Sequence, residues 1–202
     1  MFKNLKKKLS LIFENRISIS HLSLFHFVNI ISPLIILPLI INNIETTVLA
    51  KIFYFQAIFT FFSVFVNYGF NQYGINLLAT LKNPENKTKL FFQISISKLI
   101  FFLIIYSMLV LVFYISNNLN SDFIIFLLSG WALCYDVVIC DWFYQGIEKV
   151  SRINYLNFIF RILNVTMIFF FVSDSSPGFF VPMIYCISMF FVLISNIVFI
   201  NK

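Results

Sequence analysis

Asn154, Asn157, Arg161 and Asn164 recur at spacings of three and four residues within one apolar stretch, so all four fall on one face of a helix. The row carries a permanent cation in its middle, and a guanidinium so placed can grip phosphate or carboxylate oxygens in pairs. Gln56, Thr60, Ser63 and Asn67 form a second row, which Asn71 and Gly74 extend. A third holds Asp122, Ser129, Asp136 and Cys140, and a fourth His21, Asn29 and Ser32 with His26 at its margin. Four converging rows can line a hydrated cavity, although polar side chains in membranes also turn inward simply to hydrogen-bond between helices. Residues for bond-breaking chemistry are lacking. There is no Gly-rich nucleotide loop, no Ser/His/Asp set and no H-E-x-x-H, so the chain is expected to be no enzyme and to use no cofactor. Cys134, Cys140 and Cys186 lie in apolar stretches without C-x-x-C pairing and read as packing residues, and no metal site is expected.

The elements that carry these rows follow from composition. Of 202 residues, 60% are hydrophobic and 11% charged, against roughly a quarter charged in soluble domains, so the chain is a membrane protein. Only helices fit apolar runs of this length, because unpaired backbone groups are too costly in lipid. The expectation is an all-α transmembrane bundle of about six spans, near 18–41, 48–70, 92–115, 122–142, 153–172 and 179–200, behind a basic leader over 1–17. Lys3, Lys6, Lys7, Lys8 and Arg16 of the leader, Lys82, Lys87, Lys89, Lys149, Arg152 and Lys202 fall on one side. The other side has Lys51 with Glu45, Asp122 and Asp174, so both termini are expected in the cytoplasm. The net charge of +6 thus serves orientation and contact with membrane lipids, and nucleic acid is not expected as a partner. Pro33 and Pro38 are expected to kink the first span.

The ionisable residues inside the spans admit two readings each. At about 1.5 Å per residue, Arg161 and Asp136 reach similar depths, which allows a structural ion pair between the fourth and fifth spans. Alternatively Arg161 faces a cavity and binds an anion. Lys98 reads first as a residue that snorkels to the interface and second as a cavity cation. The stretch Trp142 to Arg152, W-F-Y-Q-G-I-E-K-V-S-R, reads as an interface turn. Trp142 and Tyr144 would sit in the headgroup zone, Gly146 would reverse the backbone, and Gln145 and Glu148 would cap the turn or gate the cavity.

That run, continued by Ile153, Asn154, Leu156, Asn157 and Arg161, resembles the loop after the fourth span of bacterial polysaccharide flippases of the multidrug/oligosaccharidyl-lipid/polysaccharide exporter superfamily. Tyr68-Gly69-Phe70-Asn71-Gln72 resembles the Y/D-G-F/L-N run at the end of that family's second span. Asn76 departs from the Arg that often follows in the family. The resemblance covers the family's first half, so it implies one half of a MATE-like two-lobed transporter. It further implies flipping of undecaprenyl-pyrophosphate-linked repeat units across the bacterial inner membrane for O-antigen or capsule synthesis. The cavity would be lined by Arg161, Asn157, Asn164, Asn154, Gln56, Asn67, Asp136 and Lys98, with Gly69, Asn71, Trp142, Gln145, Gly146 and Glu148 in the motif loops. The expected partners are the lipid-linked oligosaccharide and, as an N-terminal half, a second copy or a second-half subunit. The alternatives are a truncated product, a multidrug exporter of the same superfamily and a non-transporting membrane interaction protein.

Overall fold

The computed structural model describes residues 27–28, 30–117, 122–173 and 176–200. Every regular element among them is an α-helix: α1 (Ile30–Asn43), α2 (Thr46–Asn67), α3 (Phe70–Thr80), α4 (Pro84–Asn117), α5 (Asp122–Ser129), α6 (Trp131–Ile139), α7 (Asp141–Gly146), α8 (Val150–Phe171) and α9 (Phe180–Ile200). Five stretches are long and apolar enough to cross a bilayer: Thr46–Thr80, Pro84–Ser116, Asp122–Gly146, Val150–Phe171 and Phe180–Ile197. Large apolar side chains such as Phe61, Ile104, Leu111 and Phe170 stand on the outer faces, which a lipid surround accepts and water would not. The chain is an all-α transmembrane bundle. Of the span expected over 18–41 the described part is α1, a shorter apolar helix that stays helical through Pro33 and Pro38; the leader over 1–17, His21, His26, Asn29, Asp174 and Lys202 lie outside the described residues.

The main core lies where α1, α2, α5 and α9 meet, with the phenyl rings of Phe55, Phe59 and Phe126 at its centre. Phe113 of α4 stacks on Phe126 with centroids 4.2 Å apart, a close offset contact that fixes α4 against the bundle. A second core joins α6, α7, α8 and α9 through Ile139, Tyr144, Leu156 and Phe160. A third, small core holds Leu78, Leu90, Phe91, Ile94 and Trp142 between α3, α4 and α7.

Two spans expected to be single helices are broken. Tyr68 (φ 21°) and Gly69 (φ 78°) separate α2 from α3, so the Tyr68-Gly69-Phe70 run lies inside a 35-residue helical stretch, not at the end of a span. The left-handed φ explains why glycine stands at position 69, since a side chain there would strain the backbone. Cys140 (φ 54°) separates α6 from α7, and Gly130 separates α5 from α6. Tyr106 donates its hydroxyl to the Leu127 carbonyl at 3.1 Å, which occupies an acceptor beside the α5–α6 break.

The Trp142–Arg152 stretch differs from the interface turn expected of it. Trp142 and Tyr144 are 1% and 0% exposed, held in the α3–α7 packing and the second core, so both rings pack against protein and not against lipid headgroups. Gly146 is helical and reverses nothing; its missing Cβ admits Leu78 of α3, just as Gly74 admits the Trp142 ring. The reversal is made by Glu148 at φ 60°. Lys149 N–H reaches the Tyr144 carbonyl at 2.8 Å and Glu148 N–H the Gln145 carbonyl at 3.0 Å, the paired bonds of a Schellman helix end. Gln145 and Glu148 are exposed there, Glu148 in the turn itself.

Candidate functional site

Two groups of polar side chains lie inside the bundle. The first surrounds Lys98 in the middle of α4. The amine does not snorkel: Lys98 is 1% exposed, and its Nζ donates to Asn67 Oδ1 at 2.9 Å and to Asn71 Oδ1 at 2.6 Å. Asn67 passes the polarity on, donating from Nδ2 to Asp136 Oδ2 at 2.5 Å. Its amide orientation follows from its partners, because an ammonium can only donate and a carboxylate can only accept. The sequence contains the reason for this placement in its helix ends. Asn67 closes α2, Asn71 lies in the first turn of α3, and Asp136 stands four residues before the break at Cys140. One buried cation therefore ties together the segments that flank two helix breaks.

This arrangement corrects the pairing of charges. No ion pair joins Arg161 to Asp136 among the described residues; the carboxylate is taken by Asn67. The second row of polar residues also divides. Thr60 is exposed and bonds back to the Gln56 carbonyl, and Ser63 bonds to the Thr60 carbonyl, so these two satisfy themselves within α2. Lys51 and Asp122, expected on the same side, form an ion pair at 2.8 Å between the starts of α2 and α5.

The second group is built on α8. Asn157 accepts from the Tyr135 hydroxyl at 2.5 Å, which spends its oxygen on structure. One turn on, Arg161 is half-buried, and its Nε is buried without a hydrogen-bond partner. Asn164 is completely buried, and both its amide oxygen and its nitrogen lack partners, as does Ser32 Oγ on α1. Buried polar atoms left unpaired each cost on the order of 1–3 kcal/mol, so a run of them along one seam marks a place suited to a polar ligand or water.

Arg161 lines a cavity of about 240 Å³ bounded by α1, α2, α6, α8 and α9, together with Gln56, Trp131 and Tyr185. Trp131 and Tyr185 stack with centroids 4.4 Å apart and planes 8° from parallel, and the Arg161 guanidinium carbon lies 6.0 Å from the Phe160 ring centroid. The cavity thus offers one cation, one amide and a stacked aromatic pair. Such a set can hold an anion on the guanidinium while a ring-shaped group lies against the aromatic pair.

Of the residues expected to line a cavity, Gln56 and Arg161 share this one. Asn67, Asp136 and Lys98 belong to the separate network around the buried amine, which Asn71 of the motif loop joins; Asn157 is bonded to Tyr135, and half-buried Asn154 lines none of the described cavities. Trp131, Tyr185 and Tyr135 were not singled out in the sequence, because aromatic residues are so frequent in the chain that three more carry no signal. Asn196 was also missed. It accepts from the Tyr144 hydroxyl and donates to the Val138 carbonyl at 2.6 Å, linking α9 to the end of α6. A lone Asn in an apolar helix was its only sequence mark.

No family model matches the chain, and no solved structure matches it. A protein of Escherichia coli (strain K12) described as "Putative O-antigen transporter" is 24% identical over 162 residues, covering 80% of this chain. The chain matches 39% of that protein's length.

Proposed function

We propose that this chain is part of a polysaccharide transporter of the bacterial inner membrane that flips undecaprenyl-pyrophosphate-linked repeat units, with both termini in the cytoplasm and no catalytic step. The observation that carries this reading is Arg161, a mid-span cation whose Nε has no partner and which faces a cavity walled by Gln56 and the Trp131–Tyr185 stack. Inserting an arginine at mid-span costs roughly 2.5–3.5 kcal/mol on insertion scales, and no carboxylate among the described residues pairs with it. A pyrophosphate would do so on arrival, and a sugar ring would lie against the aromatic pair. The distant likeness to a protein described as an O-antigen transporter supports the same class. A multidrug exporter would need an acidic site for cationic drugs, whereas the charged side chain in this cavity is basic.

The chain's likeness reaches less than half of its relative's length; a second copy or a second-half subunit is proposed as its partner. The test is substitution of Arg161 in the source cell, with surface long-chain polysaccharide read on gels and protein level read in membranes. Arg161→Ala should abolish the long chains and Arg161→Lys should keep a part of them, since a lysine supplies charge without the bidentate fork. Full activity in both variants would sink the reading.

A further inference from the structure

Arg161 also borders a second cavity, and its character is the opposite of the first. This groove, about 200 Å³, runs between α1 and α8 and is lined by Val28, Ile31, Ile35, Ile162 and Val165, with Ser32 and Thr166 as its hydroxyl groups. Ile35 and Ile162 are 46% and 43% exposed, so the groove opens on the outer surface of the bundle. Arg161 is common to the lining of both, the amide and aromatic cavity and the apolar groove. A soluble anion would use only the first of these.

We infer that the α1–α8 groove receives the hydrocarbon chain of the lipid diphosphate whose charged group rests on Arg161. The inference rests on the proposed function and adds where the lipid part goes. Its logic is steric. The chain gains little by moving from bilayer to groove, since both are apolar. What the groove provides is a side opening, through which the chain stays in lipid-like surroundings while the diphosphate enters the bundle. The volume admits only the few carbons nearest the phosphate, which are the ones that must pass between the helices. Ser32 Oγ, buried in the same wall without a partner, is available to the phosphate-ester oxygen at the chain's first carbon.

The experiment uses the full chain in lipid nanodiscs and two probes. A short polyprenyl diphosphate carrying a diazirine in its second isoprene unit reports the chain, with labelled peptides located by mass spectrometry. Protection of Arg161 from phenylglyoxal by inorganic pyrophosphate reports the head site separately. Labelling is expected around Ile35 and Ile162, competed by unlabelled polyprenyl diphosphate. Ile162→Trp, a change at a partly exposed position that the fold tolerates, should lower that labelling about tenfold and leave pyrophosphate protection intact. Unchanged labelling in Ile162→Trp with protection intact would place the chain elsewhere and overturn the inference alone. A diazirine phosphatidylcholine that labels the groove equally, uncompeted by the diphosphate, would make it a bulk-lipid contact and overturn it too. Absence of pyrophosphate protection in the unaltered protein would remove the reading of Arg161 and this inference with it.

Discussion

Lys98 Nζ lies 2.6 Å from Asn71 Oδ1, so a cation at the centre of α4 is held by the first turn of a helix that begins beyond the break at Gly69. The same ammonium holds Asn67 on the near side of that break. Charge in a bilayer interior is tolerated when it is paired and hydrogen-bonded, and here the pairing runs through an amide to Asp136.

Lys98→Met should therefore destabilise the bundle by about 1–3 kcal/mol, because the Asn67 and Asn71 amide oxygens would lose their donor and the half-buried Asp136, reached through Asn67, would lose its nearby cation. Adding Asp136→Asn should recover a part of that loss. Denaturant unfolding in micelles reads both, and a Lys98→Met protein as stable as the parent would show that the network carries no weight.

Asn67→Ala should cost about 1–3 kcal/mol, the penalty for leaving a buried donor and acceptor unmet. Ser63→Ala should cost far less, since Ser63 bonds only within its own helix. If the two changes proved equal, the bridging role of Asn67 would be refuted.

Gly146→Val should destabilise by about 1–3 kcal/mol through overpacking against Leu78. Gly69→Val tests something different, because no atom lies within 4 Å of a Cβ built there and the whole penalty is backbone strain of about 1–2 kcal/mol. A Leu78→Ala background should relieve the first variant and leave the second unchanged.

In a background without native cysteines, Glu148→Cys should react rapidly with a water-soluble maleimide, and Tyr144→Cys should not. This separates the exposed turn from the buried aromatic pair that precedes it. Fast labelling at position 144 would restore the interface reading of this stretch.

Trp131→Ala should weaken binding of a sugar-bearing lipid more than binding of the bare diphosphate, and Trp131→Phe should retain most of it. The stack with Tyr185 holds the Trp131 ring in place at the cavity, and aromatic contacts of this kind contribute about 0.5–1.5 kcal/mol beyond their area. Equal losses for both ligands would assign Trp131 to packing.

The spans were legible because apolar length is a property of consecutive residues, and α8 and α9 begin and end within a few residues of their expected bounds. What composition cannot encode is the interruption of a helix by residues of ordinary type. Nothing about Cys140 announces a left-handed backbone, and the break at Tyr68–Gly69 reads as an end because glycine commonly stands at helix ends. The inward face of α8 was likewise readable from the spacing of Asn157, Arg161 and Asn164. Its partners were not. Asp136 and Arg161 matched in depth and charge, yet depth along two helices says nothing of their rotation, and Asn67, 69 residues away in sequence, took the carboxylate instead. Lys98 was misread for a related reason, since a long flexible side chain reaches the interface or the interior equally well until its neighbours are known.

Gly74 meets Trp142 while Gly146 meets Leu78, so α3 and α7 are keyed to each other at two points, each helix supplying one notch and one tooth. Each is joined to the rest of its span through a left-handed residue, at Gly69 and Cys140. Neither helix can slide or turn past the other without lifting a ring out of its notch. The ends of the second and fourth spans are thereby coupled like meshed gears, and a displacement delivered to either one must be shared by both.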